Sequence, residues 1–153
     1  MGVIYDPFCD RLFYASQGRG AYLNDQPIKV SQDDSLTKTV GSYDYVASSK
    51  YNLQKLAEVL TTEKAVFLVR LVSSIYPACL VAAGELSFSL FPNDKAHDVA
   101  AVKIIVEEAE GLVTDLAGGN QRYDEEIKGA IASNGSVHDE LVQLSKRLVP
   151  ELD

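Results

Sequence analysis

The sequence predicts an α/β fold: a mixed sheet with helices packed on it, preceded by an antiparallel meander. Short β-rich runs separated by turn-forming pairs fill the N-terminal part. Further on, apolar residues recur at helical spacing in stretches that alternate with short apolar, strand-like runs. The 153 residues are 46% hydrophobic, enough for one domain with a real core.

The meander comes first. Val3-Ile4-Tyr5 and Leu12-Phe13-Tyr14-Ala15 are separated by the turn pair Asp6-Pro7, and Ala21-Tyr22-Leu23 and Pro27-Ile28-Lys29-Val30 flank Asn24-Asp25-Gln26, a hairpin-length connection. Gly18 and Gly20 are expected to serve turns or close packing, because Gly-x-Gly alone is a weak phosphate signal. A short strand lies within 38–45 and contains Gly41-Ser42. Leu53, Leu56, Ala57 and Leu60 mark an amphipathic helix over 48–61. The apolar run 65–72, interrupted by Arg70, reads as a buried strand ending near a functional edge.

Ser73-Ser74 opens the next helix. With Ser74 as cap, Pro77 falls at the third helical position, where its missing N–H costs no bond. Leu86, Phe88 and Leu90 alternate with serines, the pattern of a half-buried strand. The last strand is 129–132. Ser136-Val137-His138-Asp139 resembles a capping box opening a helix striped by Leu141, Leu144 and Leu148, with His138 solvated.

Between them lies the stretch 93–111. Asp98 sits where a helix starts, and Val102, Ile105, Val106 and Ala109 line one face up to Gly111, the natural stop. On local pattern alone Asp98 is an N-cap.

Charge and cysteines bound the rest. The net charge is −8 and no run of basic residues occurs, which excludes a nucleic-acid-backbone binder. Cys79 lies in an apolar helical run and reads as a buried free thiol, leaving Cys9 without a disulfide partner. No signal peptide or membrane-length apolar run is visible, so a soluble, cytoplasmic protein is expected, with no membrane partner.

Four blocks carry a resemblance: Gly2-Val3-Ile4-Tyr5-Asp6-Pro7, Gly18-Arg19-Gly20-Ala21-Tyr22-Leu23-Asn24, the Asp98 stretch running into Gly111-Leu112-Val113-Thr114-Asp115, and Ile131-Ala132-Ser133-Asn134-Gly135. They resemble the C-terminal part of the inositol monophosphatase family, which comprises Mg²⁺-dependent, Li⁺-sensitive phosphomonoesterases. The resemblance implies the C-terminal part of a layered αβαβα sandwich. Residues 1–34 would belong to its larger N-terminal sheet and 35–153 to its C-terminal α/β domain. It makes Asp98 a Mg²⁺ ligand and places Ser73, Ser74 and Ser42 on the substrate side. The implied partner is a small phosphorylated metabolite (an inositol, sugar or nucleotide phosphate), attacked by a metal-activated water.

The sequence departs from the family in places. His97 stands where the family has Trp, and is expected to pack or order the loop rather than act as a base. Ser73 replaces a Gly. Phe91 occupies a position, seven before Asp98, where inositol-phosphate enzymes often carry an acid, and Asp94 is the nearest carboxylate. The family's Glu-Glu pair and Asp-Pro-Ile/Leu-Asp-Gly-Thr loop precede the matched region. Asp6-Pro7 and Glu107-Glu108 do not stand in for them. The chain therefore reads as one part of a metal enzyme, inactive alone, whose partners include the missing N-terminal half and a second copy in a homodimer. The alternative is a stand-alone, non-catalytic α/β binding or interaction module from the same family.

Overall fold

In the computed structural model, which describes residues 1–46, 49–71, 73, 75–92 and 95–152, four strands open the chain as an antiparallel sheet. These are β1 (Gly2–Asp6), β2 (Arg11–Ala15), β3 (Ala21–Leu23) and β4 (Gln26–Ile28). The turn chemistry explains the meander. The Asp6 carboxylate accepts the Phe8 N–H at 2.9 Å, an Asx turn that reverses the chain after β1. Asn24 and Asp25 take φ of 47° and 64°, the left-handed pair that a two-residue hairpin turn requires.

The Gly18–Gly20 turn is fastened across the fold. Its three successive N–H groups donate to the Glu108 carboxylate at 2.7 Å, 3.0 Å and 2.8 Å. As expected, these glycines serve a turn, and the anion they cradle is the chain's own.

A second, mixed sheet follows in the order β6-β5-β7-β9-β8. Its strands are β5 (Val40–Tyr43), β6 (Phe67–Val69), β7 (Phe88–Phe91), β8 (Leu112–Thr114) and β9 (Ala130–Ser133). β5 runs parallel to both β6 and β7, while β9 is antiparallel to β7 and β8. The helices are α1 (Gln54–Thr62), α2 (Ile75–Ala82), α3 (Ala96–Glu108) and α4 (His138–Leu148), followed by a 3-10 turn at Pro150–Leu152.

Packing sorts these elements into layers. α2 and α3 lie between the sheets: Phe13 and Ala15 from the first meet Cys79, Val81, Val102 and Val106 from the helices and Phe91 and Ala132 from the second. Leu56 and Leu60 of α1 and Leu141 and Leu144 of α4 cover the far face, against Phe88, Leu90 and Ile131. Each fully buried Leu, Ile or Phe contributes about 1.5–3 kcal/mol. The sequence is thus sheet, helices, sheet, helices, the expected layered sandwich without one outer helical layer. The outer face of the first sheet leaves Val3 51% and Tyr5 54% exposed.

Two glycines mark where layers touch. A Cβ on Gly2 would meet the Ala101 carbonyl oxygen at 2.6 Å, so β1 lies directly against α3. A Cβ on Gly41 would enter the Phe88 ring at 2.2 Å, so β5 must be bare there.

Several expectations are corrected. The run 65–72 is not a buried strand. β6 pairs only with β5, and as the sheet edge it leaves Phe67 66% exposed. β7 is fully buried rather than half-buried. The flanking serines stay inside because Ser89 accepts from Ser42 at 2.9 Å and Ser87 donates to Asp33 at 2.6 Å. α1 begins at Gln54, whose N–H bonds the Asn52 side chain at 2.9 Å; the proposed start, Ser48, lies outside the described residues, as does Val72. α4 begins at His138 with no side-chain cap, so the capping box does not form. Instead Asn134 Oδ1 accepts the Val137 N–H at 3.3 Å, and Asp139, Glu140, Lys146 and Arg147 oppose the helix dipole at the right ends.

Candidate active site

Because β5, β6 and β7 are parallel, all three end on one side of the second sheet. α2 leaves that side after β6 and α3 leaves it after β7. In α/β sheets the carboxyl ends of parallel strands form the usual ligand crevice. Residues from three stretches lie at this edge: Tyr43–Tyr45 at the end of β5, Arg70 and Ser73 between β6 and α2, and the first turn of α3.

Asp98 is in that first turn, but it is not the cap. Lys95 is the last extended residue, with φ −84° and ψ 108°, and the helix begins at Ala96. Asp98 is the third helical residue, and its N–H bonds the Lys95 carbonyl at 3.1 Å. A carboxylate there is stabilised by the positive end of the helix dipole. Its side chain is 26% exposed, and Oδ1 lies 3.4 Å from the Nε2 of His97. The His97 side chain is 80% exposed, so it does not fill the packing role expected of it; it stands at the surface beside the carboxylate.

Ser73 is half-buried, and its Oγ accepts the Tyr76 N–H at 3.2 Å, which makes it a side-chain cap for α2. Pro77 is the third residue of α2, as its missing N–H demands. Ser74, favoured as the cap from sequence, lies outside the described residues, as does Asp94. Ser42 is 1% exposed with its hydroxyl committed to Ser89, so it stands behind the edge, inside the sheet. Phe91 is likewise fully buried and offers nothing to the crevice.

Sequence reading missed a buried polar group. His138 is not solvated: Nδ1 lies 2.8 Å from Ser133 Oγ and Nε2 lies 3.0 Å from Thr114 Oγ1. Burial holds its pKa below the usual histidine value, Lys103 adds to that, and Asp139 opposes it. The signal available in sequence was its place five residues after Ser133, just behind the Ile131–Gly135 block. Cys79 is buried as expected, with its thiol pushed up to about 12 by burial, and is chemically inert there. Cys9 is exposed and free.

Among the described residues no three His, Cys, Asp or Glu side chains converge as a metal cage. Asp98 has the hard oxygen donor and partial exposure that suit Mg²⁺, which is bound through one or two carboxylates plus water and phosphate oxygens. The fit is that of one contributor to a site.

Comparison with known proteins bears on the same residues. A profile described as the inositol monophosphatase family matches residues 1–149. The fructose-1,6-bisphosphatase/inositol-1-monophosphatase of Thermotoga maritima is 34% identical over 99% of this chain and 57% of its own length. Inositol monophosphatase 1 of Solanum lycopersicum is 33% identical over 94% of this chain and 53% of its own length. Among solved structures, the inositol monophosphatase from Anabaena superposes with a TM-score of 0.85 at 30% identity, covering 95% of this chain and 60% of that one. The Thermotoga maritima enzyme gives 0.84 at 32% identity, covering 95% and 55%. The chain spans about half the length of the curated relatives it matches.

Proposed function

Because the chain belongs to the inositol monophosphatase family, we propose that it is the C-terminal part of a Mg²⁺-dependent phosphomonoesterase. In this reading Asp98 supplies one carboxylate to the metal. The observation that carries it is the placement of that partly exposed carboxylate in the first turn of α3, at the shared carboxyl edge of three parallel strands.

When bound, Mg²⁺ supplies Lewis acidity and lowers the pKa of the attacking water. The chain's own residues do the rest. Asp98 stands in the first turn of α3, at the positive end of the helix dipole, where a carboxylate is favoured. Ser73, already accepting from Tyr76, keeps its O–H to donate to a phosphate oxygen. Ser42 acts from behind by fixing β5 to β7 through Ser89.

One carboxylate is a weak Mg²⁺ site, so phosphate turnover requires the remaining ligands from the other half of the fold. That half would cover the outer face of the first sheet, where Val3 and Tyr5 face water. Substrates are small phosphomonoesters, of inositol, a sugar or a nucleotide. The setting we infer is the cytoplasm, with the enzyme acting as a homodimer.

The test is phosphate release by the complete protein from a panel of inositol phosphate, sugar phosphates and 3′-phosphonucleotides. Release that requires Mg²⁺ and is inhibited by Li⁺ is expected. Absence of hydrolysis across the panel, or hydrolysis indifferent to Mg²⁺, would overturn the reading.

A further inference from the structure

Five asparagines occur in the sequence, and one of them, Asn134, is followed by glycine. Such a pair is chemically labile, because a residue without a Cβ lets its amide nitrogen swing onto the preceding side-chain carbonyl carbon. The fold nevertheless demands both members. Gly135 has φ 87° in the turn from β9 to α4, a conformation that strains any L side chain.

Asn134 is 5% exposed and fastens the linker between the two sheets. Its Nδ2 donates to Ser31 Oγ at 3.0 Å and to the Asp33 carbonyl at 2.8 Å, while its Oδ1 accepts the Val137 N–H at 3.3 Å. The linker is held on either side of these bonds. The Val30 N–H donates to the Ala109 carbonyl at 3.0 Å, and the Asp33 carboxylate accepts the Ser87 hydroxyl at 2.6 Å.

The same arrangement keeps the labile pair from reacting. Hydrogen bonds fix the side-chain amide at both ends, and the N–H of the attacking nitrogen is committed to Ser133 Oγ at 3.1 Å. Reaction requires these bonds to open together, so its rate follows the population of the opened turn.

We propose that Asn134 is a modification site guarded by the linker, where deamidation makes a transient local opening permanent. In the opened turn the Gly135 nitrogen forms a bond to Asn134 Cγ and gives up its proton to Nδ2. The Cγ–Nδ2 bond breaks and ammonia leaves. Water then opens the cyclic imide at either carbonyl, giving Asp or isoAsp. Asp sets an anionic oxygen against the Asp33 carbonyl in a buried place, and isoAsp adds a backbone carbon between β9 and α4. Neither product restores the two donors on which the linker closes.

The test incubates the complete wild-type protein and its Ser31→Ala variant at mildly alkaline pH, in buffer and in urea, and quantifies Asp and isoAsp at position 134 by peptide mass spectrometry. Wild type should convert at least about tenfold faster in urea than in buffer, since the closed turn does not react. Ser31→Ala removes one acceptor of Nδ2 and should raise the rate in buffer by about 2- to 10-fold, the worth of one hydrogen bond, with its rate in urea equal to that of wild type. Equal wild-type rates in buffer and urea, no conversion at position 134 in urea, or a Ser31→Ala rate in buffer equal to that of wild type would overturn the proposal. If Ser31→Ala does not fold, hydrogen exchange on wild-type protein deamidated by long incubation in buffer decides. A faster Val30 amide than in the unmodified protein supports the guarding role of the linker, and an unchanged one overturns it.

Discussion

Ser133 at the end of β9 and His138 at the start of α4 share a buried hydrogen bond, with Oγ 2.8 Å from Nδ1. The neighbouring bonds assign its direction. Ser133 Oγ accepts the Gly135 N–H at 3.1 Å, so its own proton goes to Nδ1. Thr114 donates to the Asp115 carbonyl at 2.8 Å, so it accepts from Nε2–H. The chain of donors is complete only for the neutral imidazole.

The folded-state pKa of His138 is therefore held below the ordinary 6.5, chiefly by burial. As pH falls below about 6.5 the unfolded chain takes up the proton first, so stability is full above that value and declines as pH drops toward the folded-state pKa. Urea midpoints at pH 7.5 and 5.5 should show this loss in wild type and a smaller one in His138→Gln. An identical pH dependence in the two proteins would remove His138 from the account of acid sensitivity.

The Glu108 carboxylate is held below its usual pKa, first by the Gly18 N–H and then by the Gly20 N–H. Its contribution is present above the ordinary value of about 4.5 and is lost as pH falls through the lower folded-state value. Glu108→Gln should loosen the β2–β3 turn, read as faster hydrogen exchange at Gly18 and Gly20 with α3 amides unchanged. Unaltered protection of both glycine amides would show that the turn holds itself.

Gly41→Ala drives a methyl into the Phe88 ring at a buried sheet contact. Overpacking of this kind costs about 1–3 kcal/mol. Chemical denaturation should report that loss, and a neutral substitution would mean that β5 and β7 can separate there freely.

How legible all this was depended on the range of the determinants. The apolar face of α3 was readable, and Val102, Ile105, Val106 and Ala109 are all buried, because helical periodicity is local. The helix start was placed three residues late because Asp suits both a cap and a first turn, and the cap here is Lys95, whose side chain makes no capping bond. The exposure of Phe67 follows from strand order, which local sequence does not encode. The serines flanking Phe88 looked solvent-facing because Asp33 and Ser42, distant in sequence, satisfy them. The same holds for His138, whose Thr114 partner lies 24 positions away. At the candidate site, Asp98 and Ser73 were singled out through the family pattern and lie past the carboxyl ends of the parallel strands, whereas the two tyrosine rings beside Arg70 required the pairing of β5 with β6.

Val3 and Tyr5 on the outer face of the first sheet, together with exposed Phe8 at its rim, present apolar surface beside the open edge of β1. The isolated chain should self-associate at micromolar concentration in sedimentation equilibrium, and Val3→Lys with Tyr5→Lys should weaken it. A clean monomer whose β1 amides are strongly protected from exchange would show that this edge is satisfied within one chain.

Asp98 is the side chain on which the proposed chemistry turns. The most direct measurement is Mg²⁺-dependent phosphate release by the complete protein and its Asp98→Asn variant, with Mg²⁺ affinity and melting temperature followed in parallel. Loss of a metal ligand should reduce metal affinity and turnover by about a hundredfold or more with the melting temperature little changed. Wild-type turnover and an unshifted Mg²⁺ dependence in Asp98→Asn would contradict the assignment of this carboxylate to the metal.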